Sequence, residues 1–113
     1  ISKIGLLGTQ FTMEEGFYTE RLENKFSLEV ITPTLKEREV IDQIIYNELC
    51  VGIINSESKK ILKDSIQSMI QLGAEGILLG CTELGMILKP EDVSIRMLDT
   101  TVLHAETAAL LAL

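Results

Sequence analysis

The chain has 113 residues, 46% of them hydrophobic, and 17 acidic side chains against 10 basic ones give a formal net charge of −7. That length suits one domain with a single core, and the apolar content excludes a disordered chain. No apolar run approaches the roughly 18–20 residues that span a membrane, and without a basic stripe there is nothing to engage a nucleic-acid backbone.

Lys3 to Gly8 is a short apolar run closed by glycine and reads as the first strand. Thr9 to Thr12 is then a loop, and Thr12-x-x-Glu15 is a capping-box pattern that predicts a helix to about Asn24. Ser27 to Thr32, rich in β-branched residues and stopped by Pro33, is the second strand. Thr34-x-x-Glu37 repeats the capping box, and Val40, Ile41, Ile44, Ile45 and Leu49 follow helical spacing until about Cys50 to Gly52. Asn55 or Ser56 caps a third helix. Its apolar face is Ile61, Leu62, Ser65, Ile66, Met69, Ile70 and Leu72, and Gly73 ends it. The third strand centres on Ile77 to Leu79, a short helix ends before Pro90, and Val93 to Leu98 is the last strand. Asp99, Thr100 and Thr101 open a final helix of Ala and Leu.

Strands alternating with helices predict an α/β domain, with about four parallel strands and helices on both faces. Three hydroxyl-rich segments, Thr9/Thr12, Cys81/Thr82 and Asp99/Thr100/Thr101, then follow strands and share the carboxyl edge of the sheet. The richest is Gly76 to Gly85, G-I-L-L-G-C-T-E-L-G, where a buried strand breaks into a thiol, a hydroxyl and a carboxylate. A helix starting there would aim backbone N–H groups at a small anion and favour the thiolate of Cys81.

Each candidate also has an ordinary role. Unpaired cysteine is often a small buried hydrophobe, and only the G-C-T-E context separates Cys81 from Cys50, which reads as packing. Thr9 and Thr12 would serve a turn and a cap; the functional reading has Thr9 and adjacent backbone N–H groups binding a carboxylate. Glu83 either complements a helix dipole or meets substrate. Asp99, Thr100 and Thr101 are ordinary N-cap types, and His104 sits where a lone histidine is more often structural. The cysteines fit no CxxC or Cys/His spacing, and with one histidine no metal site is expected. No signal-peptide pattern opens the chain, so a cytoplasmic location is expected. The start at Ile1, directly before a strand, suggests a piece of a longer protein.

Four segments carry a resemblance: I-G-L-L-G-T-Q-F-T-M-E-E-G-F-Y at Ile4 to Tyr18, I-I-Y-N-E-L at Ile44 to Leu49, G-A-E-G-I-L-L-G-C-T-E-L-G at Gly73 to Gly85, and L-D-T-T-V-L-H-A at Leu98 to Ala105. In this order, over nearly the whole chain, they resemble the aspartate/glutamate racemase family, in its aspartate-racemase or broad amino-acid-racemase branch. The resemblance implies a cofactor-independent racemase of two similar α/β domains, with a cleft between them where two thiols face opposite sides of the substrate Cα. Residues 1–113 match the second, C-terminal domain, and a last helix over about 100–113 is expected to pack on the missing N-terminal domain. Cys81 matches the second catalytic cysteine, Thr82 and Glu83 match substrate contacts beside it, and Thr9 and Thr12 match the loop after the first strand. Two departures stand out. No C-N-T motif for the other cysteine is present, and Glu48 to Ile54 lacks the lysine some aspartate racemases use for substrate. The implied partners are a small amino-acid substrate and the missing domain, with no nucleic acid and no membrane. The fragment alone is expected to be inactive, and an uncovered apolar face would favour a homodimer. Related architectures keep a cysteine isomerase or decarboxylase of another small acid in view, as well as a non-catalytic flavodoxin-like module.

Overall fold

The computed structural model describes residues 2–14 and 16–99, so the expected final helix, with Thr100, Thr101 and His104, lies outside the described residues. Four parallel strands, β1 (Lys3–Leu7), β2 (Glu29–Ile31), β3 (Gly76–Leu79) and β4 (Arg96–Asp99), pair in the order β2-β1-β3-β4. The two central strands are continuous apolar runs, and Leu6, Leu7, Ile77 and Leu78 are wholly buried, as a sheet covered on both faces requires. The edge strands carry the exposed charges Glu29 and Arg96, which discourage pairing with another chain. Gly5 sits opposite Ile77, Leu6 opposite Leu78 and Leu7 opposite Leu79. This register brings the ends of β1 and β3 side by side.

Between β1 and β2 lie two helices, α1 (Gln10–Glu14) and α2 (Phe17–Phe26), in place of the single helix predicted from Thr12 to Asn24. Thr12 lies inside α1 and caps nothing. Thr9 is the capping residue: its Oγ1 accepts the Thr12 N–H at 3.2 Å, and its carbonyl accepts the Met13 N–H at 3.0 Å. Gly16 separates the two helices, and α2 ends at Ser27 in the left-handed region, φ 54°. The second strand is correspondingly shorter than Ser27 to Thr32, because β2 pairs with β1 only opposite Lys3 to Gly5.

Helices α3 (Leu35–Asn47) and α4 (Ser56–Gln71) connect β2 to β3. Both expected starts are present. Thr34 and Glu37 form the reciprocal capping box, and the Asn55 side chain accepts the Glu57 N–H at 2.8 Å. The pair runs antiparallel, pinned by two buried serines: Ser65 donates to Glu37 at 2.7 Å and Ser58 to Glu48 at 2.7 Å. Two members of the predicted apolar face of α4, Ile61 and Leu72, turn outward. Burial alone would raise the Glu37 pKa, but the hydrogen bonds from Ser65 and Thr34 outweigh it and hold the carboxyl below its ordinary value. The stabilisation from that lowered pKa is present above the ordinary glutamate range and is lost as pH falls through the lowered value. Thr34→Ala removes the cap and one Glu37 donor and should cost about 1 kcal/mol. A denaturant titration showing no loss would contradict this account of the α3 start.

After β3 comes a one-turn helix, α5 (Leu84–Ile87), then a 3-10 turn at Pro90–Asp92. The last strand therefore starts at Arg96 rather than Val93. Opposite senses of the β1–β2 and β2–β3 crossovers put α2 and α4 on opposite faces, given right-handed connections. No helix among the described residues is long and apolar enough to cross a membrane.

Candidate active site

The strand order reverses between β1 and β3: from β1 the chain moves outward to β2, and from β3 it moves the other way to β4. In open α/β sheets the crevice beyond the carboxyl ends of the strands at this switch point is the usual ligand site. The Thr9 loop leaves β1 there and the Cys81 turn leaves β3, so the topology brings these two predicted segments together. The Gly80 N–H donates to the Leu7 carbonyl at 2.7 Å, extending the strand pairing into the loops. A Cβ built on Gly80 would lie 2.8 Å from Cγ2 of Thr12, and one on Gly8 would lie 3.2 Å from the same methyl. Both glycines are thus needed for Thr12 to sit against the residue before Cys81. The third segment reaches this edge at Asp99, and its continuation lies outside the described residues.

Within the Thr9 loop the two hydroxyls have different duties. The Thr9 hydroxyl accepts from the Thr12 amide and donates to Thr12 Oγ1 at 3.0 Å, so both its functions are spent inside the loop. Thr12 accepts that bond and keeps its own proton for something else. The Gln10 N–H is also engaged, by Asp42 Oδ1 of α3 at 2.7 Å. Asp42 was not legible as part of this edge. With Arg38 it makes an i, i+4 pair of opposite charge, which by itself reads as an exposed helix face. In the structure this stripe faces α1, since Arg38 also reaches Glu14 at 3.3 Å.

Cys81 is half-buried and unpaired in a disulfide. Its Sγ donates to Oε2 of Glu83 at 2.8 Å, and the Thr82 hydroxyl donates to the same oxygen at 3.2 Å. Burial pushes the Cys81 pKa up, the Glu83 carboxylate adds to the rise, and the opposing Glu83 backbone amide is too weak to reverse it; the result is about 11. The thiol's hydrogen bond holds Glu83 below the ordinary carboxylate range, so the shared proton stays on sulfur. The expectation of a thiolate favoured by a following helix is therefore corrected. α5 has only one turn, and the Leu84, Gly85 and Met86 amides are already bonded to the carbonyls of Cys81, Thr82 and Glu83, leaving little dipole to act on the sulfur.

Glu83→Gln removes the negative charge and should bring the Cys81 pKa down by about one unit. The tenfold gain in thiolate is partly offset by lower nucleophilicity, so alkylation by iodoacetamide should quicken about threefold near neutral pH. Peptide mapping separates Cys81 from the exposed Cys50, and an unchanged Cys81 rate would show that Glu83 does not hold the proton.

The edge is open, with Thr82 exposed beside the half-buried thiol. Among the described residues no three metal-ligating side chains converge. A groove lined by Lys63, Asp64, Gln67 and Glu91 lies along α4 and shares no residue with this site.

The family model for Asp/Glu/Hydantoin racemase matches residues 1–108. A crystal structure of a candidate Asp/Glu racemase from Yersinia pestis is 46% identical and superposes with a TM-score of 0.88 over 99% of this chain and 49% of that one. An aspartate racemase homologue from Pyrococcus horikoshii OT3 is 38% identical, with a TM-score of 0.81 over 97% of this chain and 48% of that one. Picrophilus torridus aspartate racemase, 20% identical with a TM-score of 0.71, shares the fold. An uncharacterized protein in the pnlA 3′ region of Pectobacterium carotovorum subsp. carotovorum is 30% identical over 90 residues, 80% of this chain and 58% of that protein. The chain spans about half the length of the first two structures. With the match running from Ile1 through both site loops to residue 108, the chain belongs to the Asp/Glu/Hydantoin racemase family.

Proposed function

We propose that this chain is the second domain of a cofactor-independent amino-acid racemase and carries one half of its active site, with aspartate or glutamate as the substrate class. The observation that supports this most is the placement of a half-buried thiol, hydrogen-bonded to a carboxylate, at the switch point beside the Thr9–Thr12 loop. Similar chains of twice the length supply the reason to expect a second half. So does the exposure of Phe11 and Met86 on the short helices flanking the site, since apolar side chains at such a rim suit a covering surface.

In this reading Cys81 exchanges a proton with the substrate Cα from one side, and a thiol of the other domain serves the opposite side. Abstraction by one thiolate leaves a carbanion, and the other thiol returns a proton from the far face, so configuration inverts with no net change in protonation. The raised pKa makes Cys81 the donor when the empty site first fills. For the reverse direction the sulfur must become a base. A substrate ammonium pairing with Glu83 would cancel one of the two causes that hold the proton on Cys81 and lower its pKa, and a positive charge beside the sulfur would favour its thiolate further. Thr82 and Thr12 then offer hydroxyl donors to the substrate carboxylates, with Thr9 fixing Thr12. Donors of this kind matter most where negative charge grows in the transition state.

The test follows Cα hydrogen–deuterium exchange of L- and D-aspartate and glutamate by NMR, for this chain alone and for the full-length protein its gene encodes. Exchange and interconversion are expected only in the full-length protein. Interconversion by residues 1–113 alone would refute the half-site, and no exchange by a folded full-length protein would refute the racemase reading.

A further inference from the structure

The racemase reading gives no part to Asp42, a carboxylate bonded to the loop at the site edge. It is partly buried on α3, and its Oδ1 takes the first N–H of α1 from Gln10 at 2.7 Å. A helix of five residues cannot hold itself, because nucleation consumes more order than one turn of hydrogen bonds returns. Its place must come from outside. Met13 is buried in the core, and α3 supplies two polar anchors, Asp42 at the start of α1 and Arg38, paired with Glu14, at its end. Of these the bond to Asp42 is the shorter, 2.7 Å against 3.3 Å, and it alone is made to the backbone of α1.

What α1 presents to the site is Thr12. Its methyl already lies so close over Gly80 that an added Cβ would overlap it, and its hydroxyl is oriented by Thr9 at 3.0 Å. There is no slack on the Gly80 side, so any freedom of α1 opens away from Cys81. We propose that Asp42 is a positioning residue for the reaction, holding the start of α1 so that the Thr12 hydroxyl stays over the Gly80–Cys81 turn. The inference rests on the racemase reading for its consequence and on these contacts for its mechanics. A reacting geometry is sensitive to displacements of about 1 Å, which cost up to about a hundredfold in rate.

The experiment uses the full-length protein with Asp42→Ala, Asp42→Asn, Thr12→Val and the Asp42→Ala/Thr12→Val pair. Asn keeps an oxygen that can accept the Gln10 N–H, and Ala does not. Asp42→Ala should shift the amide resonances of Gln10, Thr12 and Cys81 and lower kcat about tenfold or more, with a smaller change in KM. Asp42→Asn should restore both, and in the Thr12→Val background Asp42→Ala should add no further loss, because both act through one contact. Shifts confined to Gln10, an Asn variant as impaired as Ala, or losses that multiply in the double variant would each overturn the proposal. If Asp42→Ala does not fold, Asp42→Ser, which shortens the side chain, replaces it under the same criteria. Absence of exchange activity in the unsubstituted protein would refute the racemase reading instead, and the amide shifts would still decide whether Asp42 holds Thr12.

Discussion

Replacing Cys81 with serine is expected to slow the interconversion of L and D substrate by about a thousandfold or more in the full-length protein. The size follows from what is removed. A positioned acid or base contributes about 10²- to 10⁴-fold, and a serine hydroxyl is too weak an acid to replace a thiol in either role. The loss should also be one-sided. The enantiomer whose Cα hydrogen faces the other thiol can still be deprotonated and reprotonated on that face, so it should retain Cα exchange while the exchange of its mirror image disappears. NMR in deuterated buffer separates the two, because exchange without inversion and inversion itself give different products. Equal loss for both enantiomers would place Cys81 in structure rather than chemistry, and unchanged interconversion would remove it from the reaction. Circular dichroism of the variant should be unaltered, since the sulfur is half-exposed at a strand end rather than inside the core.

Gly80→Ala should be the most damaging substitution of a single methyl at this edge. The new Cβ would stand 2.8 Å from Thr12 Cγ2, 3.5 Å from the Leu7 carbonyl oxygen and 3.6 Å from Leu6 Cδ1. Gly80 has no left-handed backbone to protect, so the cost is one of space. Thr12 cannot yield by rotating: a β-branched side chain in a helix has few rotamers, and its hydroxyl is tied to Thr9. Overpacking of this kind costs about 1–3 kcal/mol. The relief is also predictable. Thr12→Ser deletes the methyl and keeps the hydroxyl, so Thr12→Ser/Gly80→Ala should recover most of the stability lost in a denaturant titration, together with part of the activity. A Gly80→Ala protein as stable as the original would show that the two loops are not in contact in solution.

Much of the fold was readable from periodicity. The apolar runs of β1 and β3 and the helical spacing of α3 and α4 each allow one assignment, and alternation of the two types leads to a parallel sheet. The features that escaped are those decided by neighbours distant in sequence. Thr9 and Thr12 are both hydroxyl residues able to cap, and local pattern favours Thr12, which alone has a glutamate three positions on. The choice goes to Thr9 because Asp42 holds Gln10 at the helix start. The length of β2 is set by where β1 can receive it, not by the β-branched run it lies in. The protonation of Cys81 escapes local pattern for a related reason. A thiol at a strand end was expected to feel a helix dipole, whereas the carboxylate two residues along folds back on it. Side-chain direction of that sort is not carried by residue type.

The central strand pair joins the start of the chain to its third strand: Ser2 meets Glu75, 73 positions away, at the start of the same pairing that ends at Gly80. Closing so long a loop is entropically costly and slows folding. Everything between these residues can gain helix, or even the α3–α4 hairpin, before β1 has found β3. A polypeptide still emerging from the ribosome without β3 would therefore carry Thr9 and Thr12 but no crevice, and Cys81, which follows β3, would not yet be made. The edge that holds Thr12 against the Gly80–Cys81 turn thus depends on a contact between distant parts of the chain, and it exists only once β1 and β3 have paired.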